Sequence, residues 1–190
     1  MYKLIYYTHT MIKFILLGFL NYSPMTGYEL KQTIDSSTSH FWHAHHSQIY
    51  TTLRKIEQEG LVTSEIINEE GRPERRVYTI TSTGKEILKE WIDKPLKTIS
   101  PIKEELLVRL FFSAQRDRQS VINELKYQRD LHQEVLASYS LIQKTISNHK
   151  HQVVADIENE SKFWAFTVDM GIKYEQMYIT WINEVIQHIN

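Results

Sequence analysis

The residue types best suited to chemistry cluster at 47–55 and 72–76, and that chemistry is recognition of a polyanion. Ser47, Gln48, Tyr50, Thr51, Arg54 and Lys55 sit within nine positions, and no acid falls between 41 and 56. Hydroxyl and amide groups of this kind can read base edges, and the two cations can hold phosphates. An ordinary amphipathic helix with a solvated face carries the same residue types, so this cluster alone does not decide the matter. The second cluster, unremarkable in isolation as a polar solvated turn, becomes specific by its position between two strands and after a groove-sized helix. Glu70-Gly-Arg-Pro-Glu-Arg-Arg76 is a turn sequence with Arg72, Arg75 and Arg76 against Glu70 and Glu74. Arginines on such a tip can rest on phosphate or enter a narrow minor groove.

The flanking pattern supplies the elements that must position them. Ile49, Leu53 and Ile56 recur at spacings of 4 and 3, one apolar helical stripe facing away from the polar set. Gly60 stands where a left-handed C-terminal cap is expected, and Leu61 can fold back on the helix. Val62–Ile67 and Val77–Ile80 are β-branched runs that read as two strands. Thr81 is placed to cap a helix carrying Ile87, Leu88, Trp91 and Ile92. Upstream, Met11–Leu20 is an apolar helix, Asn21, Ser23 and Pro24 make a turn, and Thr26 with Glu29 fits a capping box. The helix it opens turns Leu30 and Ile34 inward and ends at Ser36–Ser39. Helix, β-hairpin with a basic tip, helix is the order of a winged helix-turn-helix, in which one helix fits the major groove and the hairpin touches flanking phosphates.

Global charge neither helps nor hinders this reading. The net charge is −1; residues 1–95 hold 11 basic and 11 acidic side chains, and residues 96–190 hold 11 and 12. Phosphate binding needs a local basic footprint, and a near-neutral total predicts modest non-specific affinity. There is no cysteine, which excludes disulfides and thiolate metal sites and fits a cytoplasmic protein. The apolar run Phe14–Leu20 is short, lacks a cleavage site and reads as a buried helix, and no stretch is long enough to span a membrane. His40, His43, His45 and His46 lack the spacing of a metal site, so no metal or other cofactor is expected. No nucleophile–base pair, phosphate-cradling glycine loop or distinctive carboxylate pair points to an enzyme.

Lys94-Pro95 and Ser100-Pro101 bracket a linker, after which only Gly171 and no proline interrupts the chain. Glu104–Phe112 reads as an apolar helix and 117–148 as a long one, with Val135, Tyr139, Ile142 and Ile146 as its stripe. A second long helix over 158–189 carries Phe163, Phe166, Met170, Tyr174, Met177, Trp181, Val185 and Ile189 at spacings of 3 or 4. That seam runs ~40 Å at the helical rise. Two helices cannot cover each other's large aromatics, so a partner surface is implied, most simply a second copy of the chain. The same aromatics, with Trp164, could instead line a small-molecule pocket.

These residues resemble the PadR family of bacterial transcriptional regulators. The likeness runs through Phe14-Ile-Leu-Leu-Gly-Phe-Leu20, Pro24-Met-Thr-Gly-Tyr-Glu-Leu30, Phe41-Trp42, Gln48-Ile-Tyr50, Leu53-Arg-Lys-Ile-Glu57, Glu59-Gly-Leu-Val62, Gly71-Arg-Pro73, Tyr78 and Thr81 through Gly84. The tail from Glu104-Glu-Leu-Leu-Val-Arg-Leu-Phe-Phe112 resembles the virulence-activator-type helical domain of longer members. The resemblance implies a homodimeric winged-helix regulator, usually a repressor, that answers to varied effectors. It also implies a backbone contact for Tyr50. Thr51 departs from it, because the family commonly has proline there.

The expectation is therefore a mainly α fold: a winged helix-turn-helix DNA-binding domain at 11–95, a linker at 96–102 and a long-helix dimerisation domain at 103–190. Residues 1–10 read as an N-terminal arm or an upstream start. Such a dimer would bind double-stranded DNA at a near-palindromic operator, with recognition helices ~34 Å apart. The rival reading is a winged-helix protein-interaction module without DNA binding.

Overall fold

A computed structural model of the chain describes residues 2–38, 41–68, 74–99, 102–149 and 155–189; the side chains of 2–10, 140–149 and 155–159 lie outside that description. The chain divides into two compact units, Met1–Ile99 and Ser100–Asn190.

The first unit is built on α1 (Tyr2–Tyr22), which drives Ile12, Leu16, Leu17 and Leu20 into the core at 2% exposure or less. The helix runs nine residues N-terminal of the expected start at Met11, because no proline or glycine interrupts residues 2–10. A short strand β1 (Met25–Thr26) follows, then α2 (Gly27–Ser37) and α3 (His46–Gln58). Leu30 and Ile34 of α2, and Ile49, Leu53 and Ile56 of α3, are each fully buried in the same cluster as the α1 residues. Each such Leu or Ile contributes about 1.5–3 kcal/mol on burial. Lys13 of α1 pairs with Glu59 just past α3 at 2.6 Å.

Gly60 takes φ +72, the left-handed cap read from the sequence, and turns the chain into β2 (Val62–Ile67). β3 is longer than expected, Arg75–Ile80 rather than Val77–Ile80. It pairs antiparallel with β2 from Val62 opposite Ile80 to Ile67 opposite Arg75. Its other edge takes β1, with Met25 opposite Tyr78 and Thr26 opposite Val77, a strand too short for periodicity to reveal. Arg75 and Arg76 are thereby strand residues, not tip residues. Tyr78 and Ile80 alternate inward and Thr79 outward, as a half-buried strand requires. Thr81 caps α4 (Ser82–Asp93) by accepting from the Gly84 amide at 3.1 Å. Trp91 of α4 stacks on Phe14 of α1, ring centroids 4.4 Å apart.

The second unit holds a short α5 (Glu105–Phe111) and two long helices, α6 (Arg118–His149) and α7 (Ala155–Ile189). Val121, Ile122 and Leu125 of α6 meet Tyr178, Ile182 and Ile186 of α7, with Leu106 of α5 closing the cluster. Farther along, His132 Nδ1 lies 2.5 Å from Glu175 Oε2 and the His132 ring stacks on Tyr178 at 4.1 Å. The two helices thus run antiparallel. The inward face of α6 is not the expected stripe: Tyr139 is buried, but Val135 is 42% exposed, and the side chains of 142 and 146 lie outside the described residues. The true inward face passes through a partly buried polar pair, which apolar periodicity cannot see. Among the described residues no helix is long and apolar enough to cross a membrane.

The α2 cap generates a pH prediction. Thr26 Oγ1 accepts from the Glu29 amide at 3.1 Å, and Glu29 Oε2 accepts from the Thr26 amide at 2.7 Å. The Thr26 backbone amide and hydroxyl together hold the Glu29 carboxyl below its usual pKa, with a smaller contribution from Arg75. A depressed folded pKa gives stability that is full above the ordinary glutamate value and lost as pH falls through the depressed one. Glu29→Gln should lower stability at neutral pH by about 0.3–1 kcal/mol, toward the low end because the carboxylate faces solvent. The gap in Tm between the two proteins should close on acidification through that window.

Candidate nucleic-acid interface

The polar face of α3 is presented because its opposite face is consumed by the core. Ser47, Thr51, Arg54 and Lys55 are exposed, Gln48 and Tyr50 half-buried, and Thr52 buried among the apolar residues. Two of these side chains are already positioned by the helix itself. Gln48 Oε1 accepts from the His45 amide at 3.0 Å, which satisfies one of the free N–H groups at the helix start. Arg54 Nε donates to the Tyr50 carbonyl at 3.4 Å. His46 lies against Tyr50 with ring centroids 4.5 Å apart, and His43 and His46 are exposed. Among the described residues no group of three or more His, Cys, Asp or Glu is arranged to hold a metal ion; His40 lies outside them.

Tyr50 is set by its neighbour on α2. A methyl group added at Gly27 would come within 2.7 Å of the Tyr50 ring and 2.9 Å of its hydroxyl. Only a residue without a Cβ lets that ring lie over the start of α2. The result is a groove of about 910 Å³ whose walls come from α2, α3 and the hairpin. Tyr28 and Gln32 line it from α2, Tyr50 and Arg54 from α3, Arg75 and Arg76 from β3. Gln32 Nε2 donates to the Tyr28 hydroxyl at 3.0 Å, and Tyr28 is 61% exposed. Sequence reasoning missed Tyr28 and Gln32, because Thr26–Ile34 was legible as a cap and two core positions, and the residues between them carried no further signal.

The three arginines of the hairpin do not share one fate. Arg72 lies outside the described residues. Arg75 is exposed on β3 and acts electrostatically on Glu29. Arg76 is engaged within the chain. Its guanidinium donates to both Glu57 carboxylate oxygens, at 2.9 and 3.0 Å, and to Ser64 Oγ at 2.8 Å. It also lies 5.6 Å from the centre of the Tyr78 ring. Burial pushes the Tyr78 phenol up from its ordinary pKa, and the Arg76 charge offsets part of that rise. Its position within a strand, rather than at the tip, is what brings Arg76 within reach of α3.

In the second unit the expected seam faces outward. Phe163, Phe166, Met170 and Met177 are each more than half exposed, Tyr174 is 38% exposed, and Trp181, Val185 and Ile189 are half-buried against the α6–α7 core. Phe111 and Phe112 of the α5 end are 81% and 67% exposed. Large apolar side chains exposed in such number are the kind of surface that partners cover.

Residues 16–90 match the PadR-like transcriptional regulator family, and residues 102–190 match the virulence activator alpha C-terminal domain. The negative transcriptional regulator PadR of Bacillus subtilis is 23% identical over 179 residues, covering 94% of this chain and 97% of that protein. A Mycobacterium tuberculosis protein named "Probable transcriptional regulator Rv1176c" is 28% identical over 174 residues, covering 85% and 88%. The crystal structure of Bacillus subtilis PadR in complex with operator DNA is similar in fold, with a TM-score of 0.79 over 95% of this chain and 99% of that one, at 22% identity. The Vibrio cholerae virulence activator AphA gives 0.73 over 94% and 98%, at 23% identity. The chain thus carries a PadR-like transcriptional regulator domain in its first unit and a virulence activator alpha C-terminal domain in its second.

Proposed function

We propose that the chain is a sequence-specific, operator-binding repressor that works in the cytoplasm as a homodimer, a binding protein and not an enzyme. The observation that carries this is the union of a solvent-facing polar helix with a basic strand across one groove, all within a winged-helix frame. Gln48 and Thr51 are assigned to base edges, Gln48 through the amide group left over from its cap. Ser47, Tyr50, Arg54, Lys55 and Arg75 are assigned to the sugar–phosphate backbone, joined by Tyr28 and Gln32 from α2. Arg72 keeps its assignment from the sequence alone.

Domain limits of 11–95, 96–102 and 103–190 belong to the same proposal, as does assembly through the α7 seam. Repression and a small-molecule response are taken over from one relative: Bacillus subtilis PadR is named a negative regulator, and one of its structures is a complex with p-coumaric acid. Arg54 and Lys55 on the exposed face of α3 favour a polyanionic partner over a protein-interaction module without DNA binding.

Two expected outcomes test the assignments. Arg54→Ala should weaken binding to the operator and to random duplexes alike. The slope of log affinity against log salt should fall by ~1, since one phosphate is no longer neutralised. An unchanged slope removes Arg54 from the interface. In the second unit, Phe166→Asp with Met170→Asp replaces side chains that are 66% and 64% exposed within one chain, so the fold should survive. Sedimentation should then give a monomer with operator affinity at least roughly tenfold weaker, because the second site is no longer tethered to the first. A soluble dimer with full affinity moves the interface elsewhere.

A further inference from the structure

The wing and the recognition helix are joined by a polar lock whose arginine the sequence alone assigns to DNA. Glu57 lies on the last turn of α3, Ser64 on β2 and Arg76 on β3. Arg76 Nη2 reaches both Glu57 oxygens, at 2.9 and 3.0 Å, and Arg76 Nε donates to Ser64 Oγ at 2.8 Å. Ser64 Oγ in turn donates to Glu57 Oε1. Three elements therefore meet through one planar guanidinium, which the Tyr78 ring backs from 5.6 Å. A two-stranded hairpin can pivot about its base, and this guanidinium ties both of its strands to the end of α3.

We propose that Glu57, Ser64 and Arg76 form a positioning triad that sets the pitch of the wing against the recognition helix, and so the register in which both meet DNA. The proposal rests on the operator-binding reading. Arg76 then acts through Glu57 rather than through phosphate. The Arg76 and Glu57 side chains are 48% and 25% exposed, so the pair adds little to fold stability, and its worth is geometric. Fork geometry matters for such a role: lysine keeps the charge of Arg76 but cannot span two carboxylate oxygens and a hydroxyl together.

The consequence has a sign that simple electrostatics reverses. Removing an acid beside a polyanion should tighten DNA binding; removing a positioning residue should cost discrimination instead. The test uses the full chain, duplexes enriched from a random pool by the wild-type protein, and a scrambled duplex of equal composition. Binding is followed by fluorescence anisotropy across a salt series, with Tm as the control for folding. Glu57→Gln, an isosteric change, should lower the ratio of enriched to scrambled affinity by about tenfold, while scrambled binding holds or rises. Arg76→Lys should lose as much as Arg76→Gln. The Glu57→Gln/Arg76→Gln double variant should be no worse than either single one, as members of one unit are not additive. The proposal is overturned if Arg76→Lys binds like wild type, or if Arg76→Gln weakens both duplexes equally with a shallower salt slope while Glu57→Gln tightens both. Arg76 is then a phosphate contact. If the wild-type protein enriches no sequence, the operator-binding reading fails, and this proposal with it.

Discussion

Everything the first unit offers on the polar face of α3 depends on one anchoring: Ile49, Leu53 and Ile56 of α3 held without exposure against Ile12, Leu16, Leu17 and Leu20 of α1. A recognition helix needs one face fixed so that the other can be offered at a constant angle. Burial fixes it, because sliding or rotating α3 would expose three large aliphatic side chains at once. The pair of Lys13 with Glu59 and the left-handed cap at Gly60 then end the helix where the hairpin must begin. The polar residues face solvent in consequence, since they are the ones the core has no use for.

Most of that anchoring was legible in the sequence, for reasons that are themselves physical. Leu30 with Ile34, and Ile49 with Leu53 and Ile56, are periodic and uninterrupted, so burial follows from helical geometry. Thr26, Glu29, Gly60 and Thr81 act on neighbours three or four residues away, and local rules read them. Long-range polar partnership was not legible. Arg76 finds Glu57 nineteen residues back, and the sequence offered it only as one more arginine in a basic turn. β1 is two residues long and exists because β3 offers it an edge. Tyr28 and Gln32 join the groove only once α2 is docked.

The second unit shows the same limit from the other side. Its two long helices were plain, but their inward face was not, because it runs through His132 and Glu175 rather than through an unbroken apolar stripe. The aromatics of α7 were legible as a line at helical spacing, and their exposure in a single chain is why a second chain is part of the proposed function. A buried acid paired with a histidine is a poor source of stability but a strict one for alignment, since any slip of α6 along α7 leaves a carboxylate in the core without its partner. The two units share a device: apolar packing supplies the cohesion, and polar pairs between elements fix their alignment.

The central claim is that two copies of this chain read two half-sites in fixed register. The direct measurement is hydroxyl-radical footprinting of the full chain on duplexes enriched from a random pool, with the stoichiometry taken by sedimentation on the same complex. The expected result is two chains per duplex, an inverted repeat with half-sites about one helical turn or a whole number of turns apart, and protection of the flanks where the wings fall. One chain on a single half-site, or protection without any shared sequence, would contradict it.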